Sequence, residues 1–419
     1  MKYKIVGGKR LEGKVQVSGN KNSIFPCVGA AILTNDEVIL ENVPNLKDTK
    51  VLLQILGKLG VQVERVSDKL FIKAAKISQV TIPANLMIKL RGSIVLVGAL
   101  LSRMGKVNFY HPGGDVIGRR SIQTHLDALI SLGALLKREG DKFRLKFPQD
   151  DQNHSYDIFL QEASVTATEN LILASVLGKR KVVVRNCAKE PHIVDLCKML
   201  LKMGAKIEGV GGDQLTILGV DKLRGTNFKL GVDYIEVGTY TVAAAITGGC
   251  ITIAGLDDTD LNPLLLPFKK FGISIEKGKN SINVYAERLK SVPTLTTNIW
   301  PGFPTDLMSV AIVLATQSKG ATLCHDWMYE SRMFFTDKLI SMGANISLAD
   351  PHRCIVSGPT KLKGRVLETP DIRAGMALVL ASLVAKGVSI INQAELIERG
   401  YENVCEKLKS LGADIERII

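Results

Sequence analysis

The stretch "KLGVQVER" (residues 58–65) returns, with variations, five more times along the chain. The other copies are "SLGALLKR" (131–138), "KMGAKIEG" (202–209), "KFGISIEK" (270–277), "SMGANISL" (341–348) and "SLGADIER" (410–417). Their shared glycine recurs at intervals of roughly 70 residues, which indicates an internal repeat. An amphipathic stretch precedes each copy and alternating residues follow it. This pattern predicts a helix, a glycine at the helix end and then a strand.

A second recurring element is a helix that is apolar on every face and is followed by a strand. Its copies are "GSIVLVGALLSRMGKVNFY" (92–110), "NLILASVLGKRKVVVRN" (170–186), "YTVAAAITGGCITIAG" (240–255), "LMSVAIVLATQSKGATLCH" (307–325) and "GMALVLASLVAKGVSIIN" (375–392). A helix without a polar face must be buried on all sides. Each repeat is therefore predicted to hold two helices, one of them fully buried, and three or four strands.

Six such repeats in 419 residues are too large for one hydrophobic core. Three plus three repeats give two α/β domains of about 200 residues each. The seam is expected near "LGVDYIEVG" (230–238). Proteins of this kind commonly bind their ligand between domains, so an interdomain cleft is the predicted site.

The net charge of +13 favours an anionic partner. Basic residues are scattered and aromatic residues make up only 5% of the chain, so a small anionic substrate is favoured over nucleic acid. The N-terminus lacks the apolar core of a secretory signal. The uncharged run 237–256 divides into a helix, a Gly-Gly break and a strand, which argues against a membrane span. The seven cysteines lack zinc-site spacing, which predicts free thiols in a reducing cytoplasm and no metal.

Polar side chains occur at the predicted start of every buried helix. They are Lys21, Asn22, Arg91, Glu169, Asp233, Glu236, Asp306, Asp371 and Arg373. Ordinary capping is an alternative explanation for the asparagine and the acids. Cations are disfavoured at a helix start, so Lys21, Arg91 and Arg373 indicate a bound anion or a partner carboxylate.

The stretch "HPGGDVIGRR" (111–120) adds Asp115, Arg119 and Arg120 on a glycine-rich loop, and "ERGYENV" (398–404) adds Arg399. The loop spacing matches neither a P-loop nor a dinucleotide fingerprint. Residues 111–120 can be interpreted either as a flexible surface turn or as a loop that covers a ligand. Arg399 can likewise be either a solvated residue at a helix start or a functional one.

Seven motifs, in this order, resemble one family over essentially the whole chain. They are "SGNKNS" (18–23), "LRGSI" (90–94), "PGGDVIGRR" (112–120), "SVTAT" (164–168), "GFPTD" (302–306), "DIRAG" (371–375) and "RGYE" (399–402). The family is that of the UDP-N-acetylglucosamine 1-carboxyvinyltransferases, the MurA enolpyruvyl transferases. The EPSP synthases share the repeat architecture and the phosphoenolpyruvate chemistry, and are the alternative enzyme. A non-catalytic nucleotide-sugar-binding relative is the third possibility.

The resemblance implies a two-domain inside-out α/β barrel of six βαβαββ repeats. The N-terminal domain would span 21–231 and hold a lid loop at 111–121; residues 1–20 and 232–419 would form the C-terminal, catalytic domain. The implied reaction moves the enolpyruvyl group of phosphoenolpyruvate to the 3′-hydroxyl of UDP-N-acetylglucosamine and releases phosphate. It is the first committed step of peptidoglycan synthesis. The expected enzyme is a cytoplasmic monomer without cofactor, metal, nucleic-acid or membrane partner.

The resemblance also assigns roles to single residues. Lys21 and Asn22 match contacts of phosphoenolpyruvate, while Arg120 and Arg399 match the arginines that grip its phosphate and carboxylate. Asp306 matches the base, and Asp115 stands at the position of the acid on the lid. The remaining matches bind or support the nucleotide sugar: Arg91, Arg120, Ser121, Ile122, Gln123, Thr124, Ser164, Val165, Met328, Asp371 and Arg373. The role of Glu190 stays open.

Three residues depart from the family pattern. Most members have cysteine at the position of Asp115, and Ser121 replaces a proline. Glu162 stands where some members have lysine. Because a carboxylate is a poorer nucleophile than a thiolate toward epoxides, the first change predicts insensitivity to fosfomycin.

Overall fold

The structure, a computed structural model, describes residues 1–114, 117–118, 120–148 and 154–418. The described residues form two compact units. The N-terminal unit contains residues 19–114, 120–148 and 154–231, and the C-terminal unit contains residues 1–18 and 232–418 together with 117–118. Each unit has its own hydrophobic core.

The elements alternate along the chain as helix-and-strand repeats. The helices are α1 (Lys21–Ala31), α2 (Lys47–Leu59), α3 (Ala84–Met87), α4 (Leu96–Met104), α5 (Gln123–Ser131), α6 (Val165–Ser175), α7 (Pro191–Lys202), α8 (Tyr234–Thr247), α9 (Asn262–Lys270), α10 (Met308–Gln317), α11 (Thr336–Ser341), α12 (Ile372–Val384) and α13 (Val404–Ser410). Short 3₁₀ helices cover Arg91–Val95, Thr305–Leu307 and Ala394–Arg399.

The strands are short, and most have five residues. They are β1 (Lys2–Val6), β2 (Glu12–Gln16), β3 (Glu37–Glu41), β4 (Gln62–Val66), β5 (Lys69–Lys73), β6 (Lys106–Tyr110), β7 (Leu135–Glu139), β8 (Lys142–Lys146), β9 (Ser155–Phe159), β10 (Lys181–Arg185), β11 (Lys206–Glu208), β12 (Gln214–Leu218), β13 (Asn227–Lys229), β14 (Cys250–Ala254), β15 (Ser274–Gly278), β16 (Ser281–Tyr285), β17 (Thr294–Thr296), β18 (Gly320–His325), β19 (Asn345–Asp350), β20 (Arg353–Gly358), β21 (Val366–Glu368), β22 (Val388–Asn392) and β23 (Asp414–Ile418).

Five of the six described sheets are mixed, with one parallel and two antiparallel strand pairs each. In the sheet of order β11-β12-β10-β9, β9 runs parallel to β10 through the buried helix α6, while β11 and β12 form an antiparallel hairpin. The sheets β13-β3-β5-β4, β15-β16-β14-β2 and β17-β18-β20-β19 follow the same plan. The sheet β6-β8-β7 has three strands, and a single parallel bridge from Thr81 to Asn108 stands where a fourth would pair. The described sheets are open, with two edge strands each.

The N-terminal strands complete two sheets of the C-terminal unit. β1 lies between β22 and β23 and is antiparallel to both. β2 is the parallel edge strand beside β14. The chain then enters the N-terminal unit at Gly19, because the Asn20 N–H donates to the Gly231 carbonyl at 2.8 Å. Residues 19 and 20, which the sequence analysis assigned to the C-terminal domain, therefore group with the N-terminal unit.

The repeat phrase has the predicted local structure in all six copies. The shared glycines follow the amphipathic helices within two residues and have φ between 88° and 103°. This left-handed conformation costs glycine little because it has no Cβ. The second predicted element is also confirmed, since α8, α10 and α12 are buried along nearly their whole length. The two helix types therefore follow from the sequence alone.

Candidate active site

Lys21 is the first residue of α1, and its charge is balanced within the N-terminal unit. Its Nζ lies 2.9 Å from Oδ2 of Asp48, which is in the first turn of α2. Both side chains are about nine-tenths buried. The helix start itself is capped by Asn20, whose side chain accepts from the Asn22 N–H at 2.9 Å. The cation predicted to need an anionic partner at this helix start thus has a carboxylate beside it.

Arg91 and Arg120 both lie close to Gly114, next to the position that a Cβ on this glycine would occupy. A Cβ built on Gly114 would be 2.9 Å from Cβ of Arg91 and 2.6 Å from Nη2 of Arg120. Arg91 Nη2 also donates to the Ser121 carbonyl at 2.9 Å. The structure therefore brings together the two arginines that the sequence singled out on separate elements.

The segment after Arg120 forms the start of α5. The Ser121 hydroxyl accepts from the Gln123 N–H at 3.0 Å, and the Gln123 side chain donates to Asp127. Ile122 is buried, while Ser121 and Gln123 are exposed. The first turn of α5 presents backbone N–H groups, which favour anions.

His125, one residue beyond the predicted segment, joins α5 to the start of α6. Its ring nitrogens lie 2.9 Å from the Asn170 amide nitrogen and 3.1 Å from the Thr166 hydroxyl. Burial, with a smaller contribution from the charge of Arg91, lowers the pKa of His125 to about 3. The ring is therefore neutral, and the amide donor makes Nδ1 the acceptor.

Ser164 and Val165 are half-buried at the N-terminus of α6. One turn later, Glu169 is 2% exposed, and its Oε1 lies 3.9 Å from Nε2 of His192. Burial, and then the charge of Glu190, raises the pKa of Glu169 well above its usual value. Glu169, which the sequence left without a role, is therefore buried beside His192, and the half-buried Glu190 is close enough to influence its charge.

In the C-terminal unit, Asp306 lies between two buried arginines. Its Oδ1 accepts from Arg332 Nη2 at 3.1 Å, and its Oδ2 lies 2.9 Å and 2.8 Å from Nε and Nη2 of Arg373. The Asp306 side chain is 30% exposed, against 1% for Arg332 and 7% for Arg373. Burial opposes the charge of both arginines, but the surrounding acidic groups together outweigh it: Asp306 with Asp371 and Asp326 raises the pKa of Arg332, and Asp306 with Tyr401 and Asp233 raises the pKa of Arg373.

A second carboxylate, that of Asp326, lies beside Arg332, with its Oδ2 3.9 Å from Arg332 Nε. Asp326 is fully buried and accepts from the Met328 N–H at 3.0 Å and from the hydroxyls of Thr297 and Thr305. One side chain therefore fixes both Met328 and the residue that precedes Asp306.

Asp371 and Arg373 begin α12 and have different tasks. Asp371 Oδ1 accepts from the N–H groups of Arg373 and Ala374 at 2.8 and 3.0 Å, so it caps the helix. The Arg373 guanidinium lies 5.2 Å from the ring centroid of Tyr401. Arg399 is partly buried at the end of the 3₁₀ helix Ala394–Arg399, and its neighbour Gly400 packs against the first residue of α12.

The two acids at the start of α8 also separate into a cap and an ion pair. Asp233 caps the helix through the N–H groups of Ile235 and Glu236. Glu236 Oε1 lies 2.5 Å from Lys407 Nζ, and its Oε2 accepts from the Ser18 N–H at 2.7 Å. Burial raises the pKa of Glu236 despite the neighbouring lysine.

The predicted acid Asp115 lies outside the described residues, as does Arg119. Between them, Ile117 and Gly118 pack within the C-terminal unit: the Ser331 N–H donates to the Ile117 carbonyl at 3.3 Å. Gly118 approaches the Glu330 carboxylate so closely that a Cβ would collide with it.

Sequence reasoning missed four residues of these groups: Asp48, His125, Asp326 and Arg332. Asp48 and Asp326 stand beside predicted elements, but their partners depend on how those elements pack. Arg332, in "YESRMFF" (329–335), has no pattern that distinguishes it from a surface arginine. Only His125 had a local signal, since it directly follows the nucleotide-binding segment of the resemblance.

Within the described residues, no group of three or more His, Cys, Asp or Glu side chains could hold a metal ion. No described helix is both long and apolar enough to cross a bilayer. Six of the seven free cysteines are buried, and Cys250 is exposed. The groups described above, in each unit, therefore consist of cations, carboxylates and helix N-termini.

Residues 5–408 match the family model described as EPSP synthase (3-phosphoshikimate 1-carboxyvinyltransferase). The UDP-N-acetylglucosamine 1-carboxyvinyltransferase of Treponema denticola is 46% identical over 99% of this chain and 98% of its own length. The enzyme of the same name from Bradyrhizobium diazoefficiens is 43% identical over 100% of this chain and 98% of its own.

Solved structures share the fold over the full length. The enolpyruvyl transferase NikO from Streptomyces tendae has a TM-score of 0.88 at 24% identity, covering 99% of this chain and 98% of its own. An EPSP synthase from Acinetobacter baumannii has a TM-score of 0.77 at 18% identity, covering 99% of both chains. The predicted enolpyruvyl transferase fold is confirmed.

Proposed function

The chain belongs to the EPSP synthase family, and we propose that it transfers the enolpyruvyl group of phosphoenolpyruvate to the 3′-hydroxyl of UDP-N-acetylglucosamine. The observation that carries this choice of acceptor is the 46% identity to a UDP-N-acetylglucosamine 1-carboxyvinyltransferase, which extends over 99% of the chain. The EPSP synthase of A. baumannii is only 18% identical over the same length. The product would enter peptidoglycan synthesis as its first committed intermediate.

The proposed binding roles use the cations of both units. Lys21, Arg120 and Arg399 bind the phosphate and carboxylate of phosphoenolpyruvate, with Asn22 beside them. The start of α5, with Arg91, and the start of α6 bind the nucleotide. Met328 contacts it from the C-terminal unit. Because the two substrates react with each other, the proposal requires both sets of residues to act on one substrate pair.

The first step is an addition. Asp306 accepts the proton of the 3′-hydroxyl while the hydroxyl oxygen forms a bond to C2 of phosphoenolpyruvate. Asp115 delivers a proton to C3, so the double bond becomes a tetrahedral ketal that still holds its phosphate. Cations on the phosphate and carboxylate stabilise the charge that develops.

The second step is an elimination that restores the double bond. Asp115, deprotonated in the first step, takes a proton back from C3, the C2–O bond to phosphate breaks, and inorganic phosphate departs with the bonding electrons. Neither step needs an oxidant or a reductant, and Asp306 and Asp115 account for the proton transfers.

The two arginines beside Asp306 support its role as base. Their guanidinium groups contact both carboxylate oxygens, Arg332 at 3.1 Å and Arg373 at 2.8 and 2.9 Å. They also fix its orientation, and orientation makes a large contribution to rate in reactions between two bound substrates. Because the side chain is 30% exposed, a substrate hydroxyl can reach it.

Phosphate release with each acceptor tests the proposal. The purified protein is incubated with phosphoenolpyruvate and either UDP-N-acetylglucosamine or shikimate 3-phosphate, and inorganic phosphate is measured. We expect release with the nucleotide sugar alone. Release with shikimate 3-phosphate alone would make the protein an EPSP synthase. Tight binding of UDP-N-acetylglucosamine without release would identify a non-catalytic binding protein.

We further propose that the enzyme works in the cytoplasm as a monomer without a nucleic-acid partner. The buried free thiols support a reducing compartment. The scattered basic residues and few aromatics support a small-molecule ligand rather than nucleic acid. Light scattering after gel filtration would test the monomer, since a dimer would elute with twice the mass.

A further inference from the structure

A pocket of about 500 Å³ lies in the N-terminal unit, at the C-terminal ends of α4 and α6. Arg91 and Ser164 lie at the opposite ends of the same helical segments. At 1.5 Å per residue, α6 alone separates its two ends by about 16 Å. The pocket is thus distinct from the proposed catalytic residues of this unit. It includes the most basic run of the sequence, "GKRK" (178–181).

The pocket is strongly cationic. Lys106, Lys146, Lys179 and Arg180 line it, and the described lining residues include no acid. Lys106 and Lys146 are direct partners across the antiparallel strands β6 and β8. Like charges placed opposite each other in this way are destabilising. No described carboxylate forms an ion pair with any of the three lysines. An anion between Lys106 and Lys146 would remove their repulsion.

Two further features resemble a prepared binding site. The Arg180 guanidinium is stacked 3.8 Å from the centroid of the Phe147 ring, and Arg180 is only 9% exposed. The Ser102 hydroxyl, which also lines the pocket, is buried without a hydrogen-bond partner among the described residues. A buried hydroxyl without a partner is costly, and a ligand oxygen would satisfy it.

Ordinary structural roles explain only part of this charge. The C-terminal end of a helix carries about half a negative elementary charge, so α4 and α6 together offset roughly one of the three lysine charges. A lysine on an edge strand prevents sheet-to-sheet pairing, which accounts for Lys106 on β6. Lys146 lies on the central strand of that sheet, where edge protection does not apply.

We propose that this pocket binds a small phosphorylated molecule, with its phosphate between Lys106 and Lys146 and its less polar part against Phe147. The volume falls within the usual range for small-molecule sites, roughly 300–1,000 Å³. Lys179 and Ser102 complete the contacts of the anion. This ligand differs in location from both substrates of the proposed reaction, so the proposal stands or falls independently of that reaction.

Inorganic pyrophosphate is the probe for the test, measured by isothermal titration calorimetry on the full chain. All proteins also contain R120Q, which weakens anion binding through the proposed catalytic residues. The test variant adds K106Q and K146Q. The matched control adds K58Q and K198Q, which remove the same charge from exposed helix positions of the same unit. Thermal unfolding of each protein is followed with and without pyrophosphate.

We expect the K106Q/K146Q protein to bind pyrophosphate roughly 100-fold more weakly than its R120Q parent, about tenfold or 1.4 kcal/mol for each lysine. The K58Q/K198Q control should bind within about twofold of the parent. Pyrophosphate should raise the melting temperature of parent and control but not of the K106Q/K146Q protein. Without pyrophosphate, the K106Q/K146Q protein should be at least as stable as the parent, because the lysine repulsion is gone.

Three results would overturn the proposal. The first is absence of pyrophosphate binding by the R120Q parent up to about 10 mM, the range of very weak ligands. The second is equal affinity of the parent and the K106Q/K146Q protein. The third is an equal loss in the K58Q/K198Q control, which would mean that net charge rather than the pocket attracts the anion.

Discussion

Asp306 and Arg373 are joined by two contacts that end on a single carboxylate oxygen. Oδ2 of Asp306 lies 2.9 Å from Nε and 2.8 Å from Nη2 of Arg373, 67 positions further along the chain. Arg332 holds the other oxygen. The carboxylate proposed as the base is therefore fixed by two arginines, from the segment before α11 and from the first turn of α12.

Replacing Asp306 with Asn should remove the base and leave the shape of the side chain. We expect kcat to fall by about 10²–10⁴, the usual contribution of a general base. Phosphate release at saturating substrates measures it. D350N is the matched control, because Asp350 has a similar two-contact pairing with Arg353 at an exposed position. The proposed role of Asp306 is wrong if D306N retains kcat, or if D350N loses as much.

Replacing Asp115 with Cys should restore the residue that most of the resembling family has. The acid must be protonated, and the ordinary pKa is about 3.9 for Asp and about 8.5 for Cys. As the pH rises, the wild type should therefore lose activity through deprotonation of its acid at a lower pH than D115C does. Rates measured from about pH 5 to pH 9 test this. Identical alkaline limbs would contradict it.

The same substitution should change the response to fosfomycin. Because a thiolate attacks an epoxide more readily than a carboxylate does, intact-mass spectrometry should find an adduct on D115C and none on the wild type. The control is D115S, which has neither nucleophile. An adduct on Asp115 itself would refute the predicted insensitivity.

Replacing Asp48 with Asn should leave the charge of Lys21 without its carboxylate in a site that is about nine-tenths buried. Breaking a buried ion pair on one side costs about 3 kcal/mol or more. Urea unfolding should show that loss in the free energy of unfolding. The control is E41Q, which breaks the exposed pair of Glu41 and Lys69 and should leave the urea midpoint unchanged. Equal midpoints for D48N and the wild type would show that the pair contributes nothing.

Replacing His125 with Asn should weaken the dependence of the free energy of unfolding on pH below pH 6.5. The pKa of His125 is about 3 when folded and about 6.5 when unfolded. As the pH falls below 6.5, the unfolded chain takes up a proton that the folded protein does not, so the free energy of unfolding decreases. The loss continues until about pH 3, where the folded protein also takes up a proton. Between pH 6.5 and pH 5 it amounts to about 1.5 kcal/mol.

Urea unfolding at those two pH values tests this, with the variant as its own reference. Other titrating groups are common to both proteins, so their contributions cancel in the difference between the two slopes. A wild-type slope equal to that of H125N would mean that the imidazole is protonated in the folded protein.

The fold followed from the sequence where the controlling chemistry is local. The glycine at a helix end and the helix without a polar face can each be recognised within a stretch of about 15 residues. The closing of the last sheet by β1 is different. Nothing within "KYKIV" (2–6) specifies partners at residues 388–392 and 414–418.

The site was predictable to the extent that one residue at a helix start is unusual by itself. Lys21 and Arg373 were recognised because cations are disfavoured there, and both have the expected partner carboxylate. The identity of that partner depends on which element packs beside the helix. Asp48 was missed because it lies in the first turn of α2, where an acid is common and nothing local marks it as the partner of Lys21.

The position of β1 between β22 and β23 determines when during translation its sheet can form. β1 is made about 400 residues before β23, the strand on one side of it. At about 5–20 residues per second, β1 waits tens of seconds before that partner leaves the ribosome. The N-terminal unit ends at Gly231, roughly 180 residues before β23 begins. This unit can therefore fold during synthesis, whereas the sheet that contains β1 forms only once β23 has been translated.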